Sequence, residues 1–191
     1  MKNVFFATAL AAITLSVSAP SFAQKMGKDK DLPMVGGAPM YPTKDIVDNA
    51  VNSKDHTTLV TAVKAAGLVE TLKGPGPFTV FAPTNKAFDK VDKDALGDLL
   101  KPENKASLQK VLTYHVVPGR LSAADLDKMI TKGGGTAELA TVEGGKLTLS
   151  KSGSSIVLTD AAGNKSTVTQ SNVFQKNGVI HVVDTVLMPA M

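Results

Sequence analysis

The sequence contains no cysteine among its 191 residues and only three histidines. Without cysteine it forms no disulfide, carries no lipid-modified N-terminal cysteine and has no thiol nucleophile. No serine lies in a Gly-x-Ser-x-Gly elbow, and His56, His115 and His181 lack the spacing of metal-binding motifs. A hydrolase would need these histidines to converge from distant parts of the chain. We therefore predict a protein that is not an enzyme and has no cofactor or metal site.

The sequence also lacks an apolar run of the roughly 20 residues that a membrane-spanning helix needs. Its most apolar stretch, residues 4–17, follows the charged Lys2 and precedes the small residues Ser21 and Ala23. A charged start, an apolar run and small residues before a cleavage point are typical of a secretory signal peptide. We predict a signal peptide over residues 1–23, cleavage after Ala23, a secreted or periplasmic protein, and no integral membrane segment after cleavage.

Positive charge is in small excess. The sequence has 21 Lys and Arg residues and 17 Asp and Glu residues, which gives a formal net charge of +4. Loss of Lys2 with the signal peptide would lower this to +3. The lysines are scattered among aspartates, whereas nucleic-acid binding favours a clustered basic face. We predict no nucleic-acid partner, and weak attraction to anionic glycans or lipids stays open.

Residues 24–42 are rich in Gly, Pro, Met and Lys and show neither a helical nor a strand period, which predicts a flexible leader arm. From Thr43, which is placed to cap a first helix, apolar residues recur at helical spacing as far as the glycines at 133–135. Strand-like segments follow. Because helices precede most strands, the predicted class is α+β. Strands are expected at residues 78–81, 137–142, 146–150, 155–159, 165–170 and 179–187.

Three segments together carry a family resemblance: residues 78–88 (FTVFAPTNKAF), 112–119 (LTYHVVPG) and 177–189 (NGVIHVVDTVLMP). In order and spacing they resemble the signatures of the fasciclin (FAS1) domain. The likeness covers residues 43–189, which we therefore expect to form one domain. It implies the FAS1 fold, with two small β-sheets packed against a bundle of short helices. It also implies use in cell adhesion and extracellular contacts, although family membership does not identify a ligand.

Four residues of these motifs have structural interpretations from local physics. Thr84 and Asn85 follow a short strand and are placed to cap the next helix. His181 and Asp184 lie three residues apart on a predicted strand, so they point to opposite faces and share no site. We expect Asp184 to accept hydrogen bonds from a neighbouring turn, because a buried unpaired carboxylate would be costly. Both faces of that strand are largely apolar, which predicts a central strand.

Tyr114 and His115 are the candidate binding residues, because the resemblance matches them to a pair that the family is reported to use in receptor-mediated adhesion. The alternative is structural. His115 shares a predicted helix face with apolar residues, and a neighbouring tyrosine can bury its ring while its hydroxyl stays hydrated. The sequence leaves both interpretations open.

The sequence as a whole favours an exported, non-enzymatic adhesion or interaction module. Its expected partner is a surface protein, a glycan or a matrix polymer, with self-association as a further option. The alternative function is a carrier for an apolar small molecule such as a pigment. A carrier would need unfilled apolar volume between helices and sheet, which distinguishes the two hypotheses.

Overall fold

A computed structural model describes residues 32–190 of the chain. The predicted signal peptide, residues 1–23, and the beginning of the predicted leader arm lie outside the described residues. The described part contains seven α-helices and two short 3₁₀ turns, at Lys54–His56 and Pro102–Asn104. The helices are α1 (Ile46–Ala50), α2 (Thr57–Ala66), α3 (Val69–Lys73), α4 (Asn85–Phe88), α5 (Lys93–Leu99), α6 (Lys105–Tyr114) and α7 (Ala123–Lys132).

The strands form a two-stranded sheet and a larger one, so the predicted α+β class is confirmed. The small sheet is the antiparallel pair β1–β2. The larger sheet has seven strands in the order β4-β3-β9-β8-β7-β6-β5. The strands are β1 (Met34–Val35), β2 (Ala38–Pro39), β3 (Phe78–Pro83), β4 (Val116–Pro118), β5 (Thr136–Ala140), β6 (Lys146–Ser152), β7 (Ser155–Thr159), β8 (Lys165–Gln175) and β9 (Gly178–Val183).

Strand β8 joins the two halves of the large sheet. Its first residues pair with β7, with Thr167 opposite Val157, and the remainder pairs with β9. Two register shifts interrupt the β8–β9 pairing, and Asn172 beside the second has a φ of 60°. Such irregularities bend a strand, so β8 belongs to both halves. Because the residues after the bend still pair with β9, the strand extends to Gln175, five residues beyond the predicted end.

Strand β9 lies between β3 and β8, and all six of its residues are buried, which confirms the predicted central strand. It runs parallel to β3, with Phe78 opposite Gly178 and Pro83 opposite Val183. It ends at Val183 and not at the predicted residue 187. The parallel pairing brings the carboxyl ends of β3 and β9 to one edge and their amino ends to the opposite edge.

The buried apolar side chains form two clusters on opposite sides of the central strands. The first packs helices α1, α2 and α6 against β3 and β9 and includes Ile180 and Val182. The second packs α7 against the strands β5 to β7 and includes Val183. Alternate residues of β9 thus serve different clusters, as period-two geometry requires.

Residues 32–42, the described part of the predicted flexible leader arm, are folded, so the boundary predicted at Thr43 needs correction. Val35 and Met40 are buried in the first cluster. Gly36 and Gly37 adopt positive φ angles of 57° and 76° and make the turn between β1 and β2. A two-residue strand has too few positions to show a period, which is why the sequence pattern suggested an arm.

The first helix also begins later than predicted. Asp45 caps α1, because its Oδ1 accepts a hydrogen bond from the Asp48 backbone N–H at 2.8 Å. Thr43 lies two residues before this cap. Both residue types are good N-caps, so local propensity does not separate them.

Candidate functional site

His115 lies at the carboxyl end of α6 and is 2% exposed. Its Nε2 accepts a hydrogen bond from the Leu187 backbone N–H at 3.0 Å. The ring proton therefore resides on Nδ1, which donates to the Val111 carbonyl at 2.7 Å. Both nitrogens are satisfied inside the protein, and the ring links α6 to the segment that follows β9.

Burial lowers the pKa of His115 to about 4, because the apolar surroundings disfavour the charged imidazolium. The hydrogen bonds require the same protonation state. A proton added at Nε2 would meet the Leu187 N–H donor and break that bond. His115 is therefore a neutral structural group at physiological pH.

Tyr114 is fully buried in the second cluster. Its hydroxyl donates to the Lys146 carbonyl at 2.6 Å and accepts from the Ala161 N–H at 3.0 Å. Burial raises the pKa of this phenol. The side chain thus connects α6 to the start of β6 and to the turn after β7. Because neither Tyr114 nor His115 reaches the surface, direct contact with a partner would require the domain to open.

His181 is also fully buried and makes a structural contact from β9. Its Nε2 donates to the Leu121 carbonyl at 2.9 Å, and its ring stacks on Phe81 with the centroids 5.7 Å apart. Burial lowers the pKa of this imidazole. Asp184 bonds to other groups, so these two residues form no common site.

Thr84 and Asn85 begin α4 at the carboxyl edge of β3. The Thr84 hydroxyl caps α4 by accepting from the Ala87 N–H at 3.2 Å. The Asn85 side chain serves a different helix, because its Oδ1 accepts from the Thr58 N–H at 3.0 Å and its Nδ2 donates to the Lys54 carbonyl at 2.9 Å. Asn85 thus fastens the start of α2 to α4, a contact that its place in the sequence did not predict.

Asp184 lies at the same edge, directly after β9. Its Oδ1 accepts from the Thr167 N–H at 2.8 Å and from the Thr185 hydroxyl at 3.0 Å. The Lys90 ammonium lies 3.8 Å from its other carboxylate oxygen. The carboxylate therefore holds the bend of β8 against the end of β9 and keeps one oxygen toward the surface.

These motif residues line an open surface cavity of about 370 Å³. We call it the Thr84 groove, and it is lined by Asp55, Thr84, Asn85, Lys86, Lys90, Thr169 and Asp184. It is bordered by two ammonium groups and two carboxylates, whose formal charges balance. Sequence reasoning found Thr84, Asn85 and Asp184 but missed the others. The only local signal for these was the i, i+4 spacing of Lys86, which lies within the first motif, and Lys90, which follows it.

An apolar cavity of about 50 Å³ lies between the helices α1 and α2 and the strands β3 and β9. His56 and His115 are among its lining residues. The Nδ1 of His56 lies 2.9 Å from the Ser53 hydroxyl, and its Nε2 has no hydrogen-bond partner. Small-molecule pockets usually measure about 300–1,000 Å³. This cavity is far below that size, so it has no room for a pigment.

Two further findings concern the described residues 32–190. None of their helices combines the length and apolar character needed to cross a membrane. Their histidines and carboxylates do not form a group of three placed to hold a metal ion. Within residues 32–190, the Thr84 groove is therefore the candidate site that the family motifs provide.

Comparisons with known proteins agree with this fold. The family model described as Fasciclin domain matches residues 54–189. Protein sll1483 of Synechocystis sp. is 40% identical over 184 residues, which cover 96% of this chain and 94% of that protein. Transforming growth factor-beta-induced protein ig-h3 of Sus scrofa is 33% identical over 78% of this chain and only 20% of its own length.

A solved structure of a FAS1 domain pair from fasciclin I, an insect cell adhesion molecule, shares the fold. The comparison of that structure with this one gives a TM-score of 0.69 at 20% sequence identity, and it covers 77% of this chain and 51% of that chain. The family model covers the helices from α2 onward and every strand of the large sheet. Together with the full-length similarity to the Synechocystis protein, this shows that the chain belongs to the fasciclin domain family.

Proposed function

We propose that this protein is an exported, non-enzymatic adhesion or interaction module that binds its partner through the Thr84 groove. The partner is a surface protein, a glycan or a matrix polymer. The observation that carries the proposal is the contrast within the family motifs: Tyr114 and His115 are buried, whereas Thr84, Asn85 and Asp184 border an open cavity. The fold shared with an insect cell adhesion molecule supports an adhesive role.

The groove has a rigid frame, which favours specific binding. Thr84 caps α4, Asn85 bonds to two segments of backbone, and Asp184 bonds to Thr167 and Thr185. Side chains that are already held in place lose little conformational freedom when a partner arrives. The frame therefore presents the more exposed groups of the groove in a fixed arrangement.

The groups presented to a partner are charged or hydroxylated. Lys86 and Lys90 donate hydrogen bonds, while Asp55 and the outer oxygen of Asp184 accept them. A partner that offers both acceptors and donors, such as a polar protein segment or a hydroxyl-rich glycan, matches this set. Because the charges nearly cancel, the groove selects by hydrogen-bond pattern more than by net charge.

The carrier alternative receives no comparable support from the structure. The apolar cavity of about 50 Å³ is too small for a pigment. A carrier role would require α1 and α2 to separate from the sheet and enlarge the cavity.

The test is binding of the purified mature chain to cell-envelope fractions from its native host. We expect the variant Lys86→Ala/Lys90→Ala to bind about tenfold more weakly, a loss of about 1.4 kcal/mol. The control variant Lys105→Ala/Lys110→Ala removes two exposed lysines from α6 and should bind within about twofold of wild type. Equal binding by all three proteins would refute the groove as the contact surface. Mass spectrometry of the natively exported protein completes the test, since a stoichiometric apolar molecule would favour the carrier.

A further inference from the structure

The amino ends of β3 and β9 carry a second exposed surface, with a different composition from the Thr84 groove. We call it the Arg120 surface, and it consists of Tyr41, Lys44, Arg120, Phe174 and Lys176. Arg120 follows β4, whose Pro118 pairs with Phe78 at the start of β3. Lys176 lies in the turn between β8 and β9. Six residues of strand separate the two edges, which corresponds to roughly 20 Å.

Arg120 is the only arginine in the sequence, and the backbone holds its guanidinium in place. One terminal nitrogen, Nη2, donates to the Gln175 carbonyl at 2.8 Å and to the Lys176 carbonyl at 3.1 Å. Among residues 32–190 no carboxylate forms an ion pair with it. Its other N–H groups, on Nη1 and Nε, form no hydrogen bond within the described residues and are available as single donors to an anionic group.

Two lysines are brought next to this arginine by a backbone hydrogen bond. The Lys176 N–H donates to the Lys44 carbonyl at 2.9 Å, which joins the turn before β9 to the start of α1. The Lys44 ammonium lies 4.9 Å from the centroid of the Tyr41 ring. Three cations from distant parts of the sequence therefore meet on one surface.

Aromatic area accompanies these charges. Phe174 is 40% exposed, although large apolar side chains are usually buried. It lies in the last part of β8, two residues before Lys176 in the turn that follows, and both residues are exposed. The half-buried Tyr41 ring adds a second flat apolar area beside Lys44.

Little negative charge opposes the three cations. Lys73 and Asp48 form an ion pair of 2.7 Å nearby and so cancel each other. Asp45, next to Lys44 in the chain, caps α1 and contributes one negative charge against the three positive charges. The surface therefore has an excess of positive charge, in contrast to the balanced groove at the other edge.

We propose that the Arg120 surface binds an acidic polysaccharide. The free Nη1 and Nε donors of the guanidinium suit single charge-assisted hydrogen bonds to the carboxylate of a uronic acid or to the oxygens of a sulfate, and the lysines attract neighbouring charges along the polymer. The Phe174 and Tyr41 rings offer apolar faces to the C–H face of a sugar ring. A flexible lysine cluster would suit any anionic surface, whereas a backbone-fixed arginine flanked by aromatic rings favours a partner with oriented, repeating acid groups.

This inference rests on the proposed function, because it names one class of partner, and it assigns that partner to a separate surface. A single domain with binding surfaces at both edges of the β3–β9 pair can hold two partners at once. Such an arrangement would allow one small domain to link a polysaccharide to a second component without forming an oligomer.

The test measures binding of the mature chain to alginate, a polymer of uronic acids, at about 0.15 M salt, where screening suppresses unspecific attraction. Neutral dextran is the control polymer. The variant Lys44→Glu/Lys176→Glu should bind alginate at least about tenfold more weakly than wild type. The matched control Lys105→Glu/Lys110→Glu changes the net charge by the same amount and should stay within about twofold. Arg120→Lys keeps the charge but loses the planar guanidinium that the backbone holds in place, and should fall between the two.

Three results would overturn the proposal. They are equal loss of binding in both charge-reversal variants, wild-type binding to alginate no stronger than to dextran, and binding to phosphatidylglycerol vesicles without binding to alginate. Thermal unfolding of each variant checks that the fold is kept. Envelope binding by the groove variant Lys86→Ala/Lys90→Ala is a separate readout. A failed alginate experiment with intact groove-dependent binding would therefore leave the proposed function in place.

Discussion

The buried region around Tyr114 and His115 and the exposed edges of the β3–β9 pair use polar residues in opposite ways. Inside, each polar atom of the Tyr114 hydroxyl and the His115 ring has a backbone partner. At the edges, Lys86 and Arg120 keep donors directed to solvent. A motif residue can therefore mark a family because the fold needs it, and we propose that exposed residues within and beside the motifs provide the contact surface.

The two regions should also contribute differently to the free energy of unfolding. Removing one partner from a buried hydrogen bond leaves the other unsatisfied, at a cost of about 1–3 kcal/mol for each group. Exposed lysines contribute little to stability, with ion pairs typically below about 1 kcal/mol. Substitutions in the two regions should thus affect different measurements.

The largest expected effect is that of His115→Leu. Leucine is similar in size but leaves the Leu187 N–H and the Val111 carbonyl without their side-chain partner. We expect the free energy of unfolding to fall by about 3–4 kcal/mol, as measured by urea denaturation. A loss below about 1 kcal/mol would contradict the structural role of this ring.

Acid should destabilise the protein through the same residue. The folded-state pKa of His115, about 4, lies below its unfolded value of about 6.5, so below pH 6.5 the unfolded state binds more protons. Stability should therefore fall from pH 6.5 to 4, with a contribution of about 3 kcal/mol from His115. His56 and His181 act in the same direction because burial lowers both of their pKa values.

The control for this acid effect is the His115→Leu variant, whose unfolding free energy should depend less steeply on pH over the same interval. Denaturation curves at several pH values compare the two proteins. Parallel pH profiles for wild type and variant would show that His115 does not carry the acid sensitivity.

Tyr114→Phe should have an intermediate effect. The ring stays buried, but the Lys146 carbonyl and the Ala161 N–H lose the hydroxyl that bonds to both. We expect a loss of about 1–2 kcal/mol in the free energy of unfolding. Tyr41→Phe, at the half-buried tyrosine, serves as the matched control, because the Tyr41 hydroxyl forms no hydrogen bond within the described residues.

Asn85→Ala tests a contact at the boundary between the two regions. It removes the hydrogen bonds from Asn85 to Thr58 and Lys54, so the start of α2 loses its side-chain cap. We expect a loss of about 1 kcal/mol in thermal or urea unfolding. Thr84→Ala, which removes the cap of α4, should cost a similar amount, and a negligible effect of Asn85→Ala would mean that water replaces the amide.

Local patterns predicted the parts of the fold that depend on neighbours in sequence. Ser122 and Asp125, three residues apart, form a capping box at the start of α7, and Gly67 ends α2 in the left-handed conformation that glycine favours. The apolar character of both faces of β9 correctly placed it at the centre of the sheet. These features follow from side-chain periodicity and helix capping, which act over a few residues.

The features that the sequence did not reveal depend on distant partners. The β1–β2 hairpin is stabilised by packing of Val35 and Met40 into the first cluster, and β8 extends past residue 170 because β9 pairs with it. Asn85 serves a helix that begins 28 residues earlier. The Thr84 groove and the Arg120 surface likewise bring together residues from several elements, so no local pattern marks them.

The central claim is that Tyr114 and His115 maintain the fold while the surface edges make the contacts. Its most direct test is the double variant Tyr114→Phe/His115→Gln, studied by urea unfolding and by envelope binding at a temperature where the variant stays folded. We expect a loss of about 3 kcal/mol or more in the free energy of unfolding, with binding by the folded variant equal to wild type. Weakened binding with an unchanged melting temperature would contradict the account and identify the pair as a contact site.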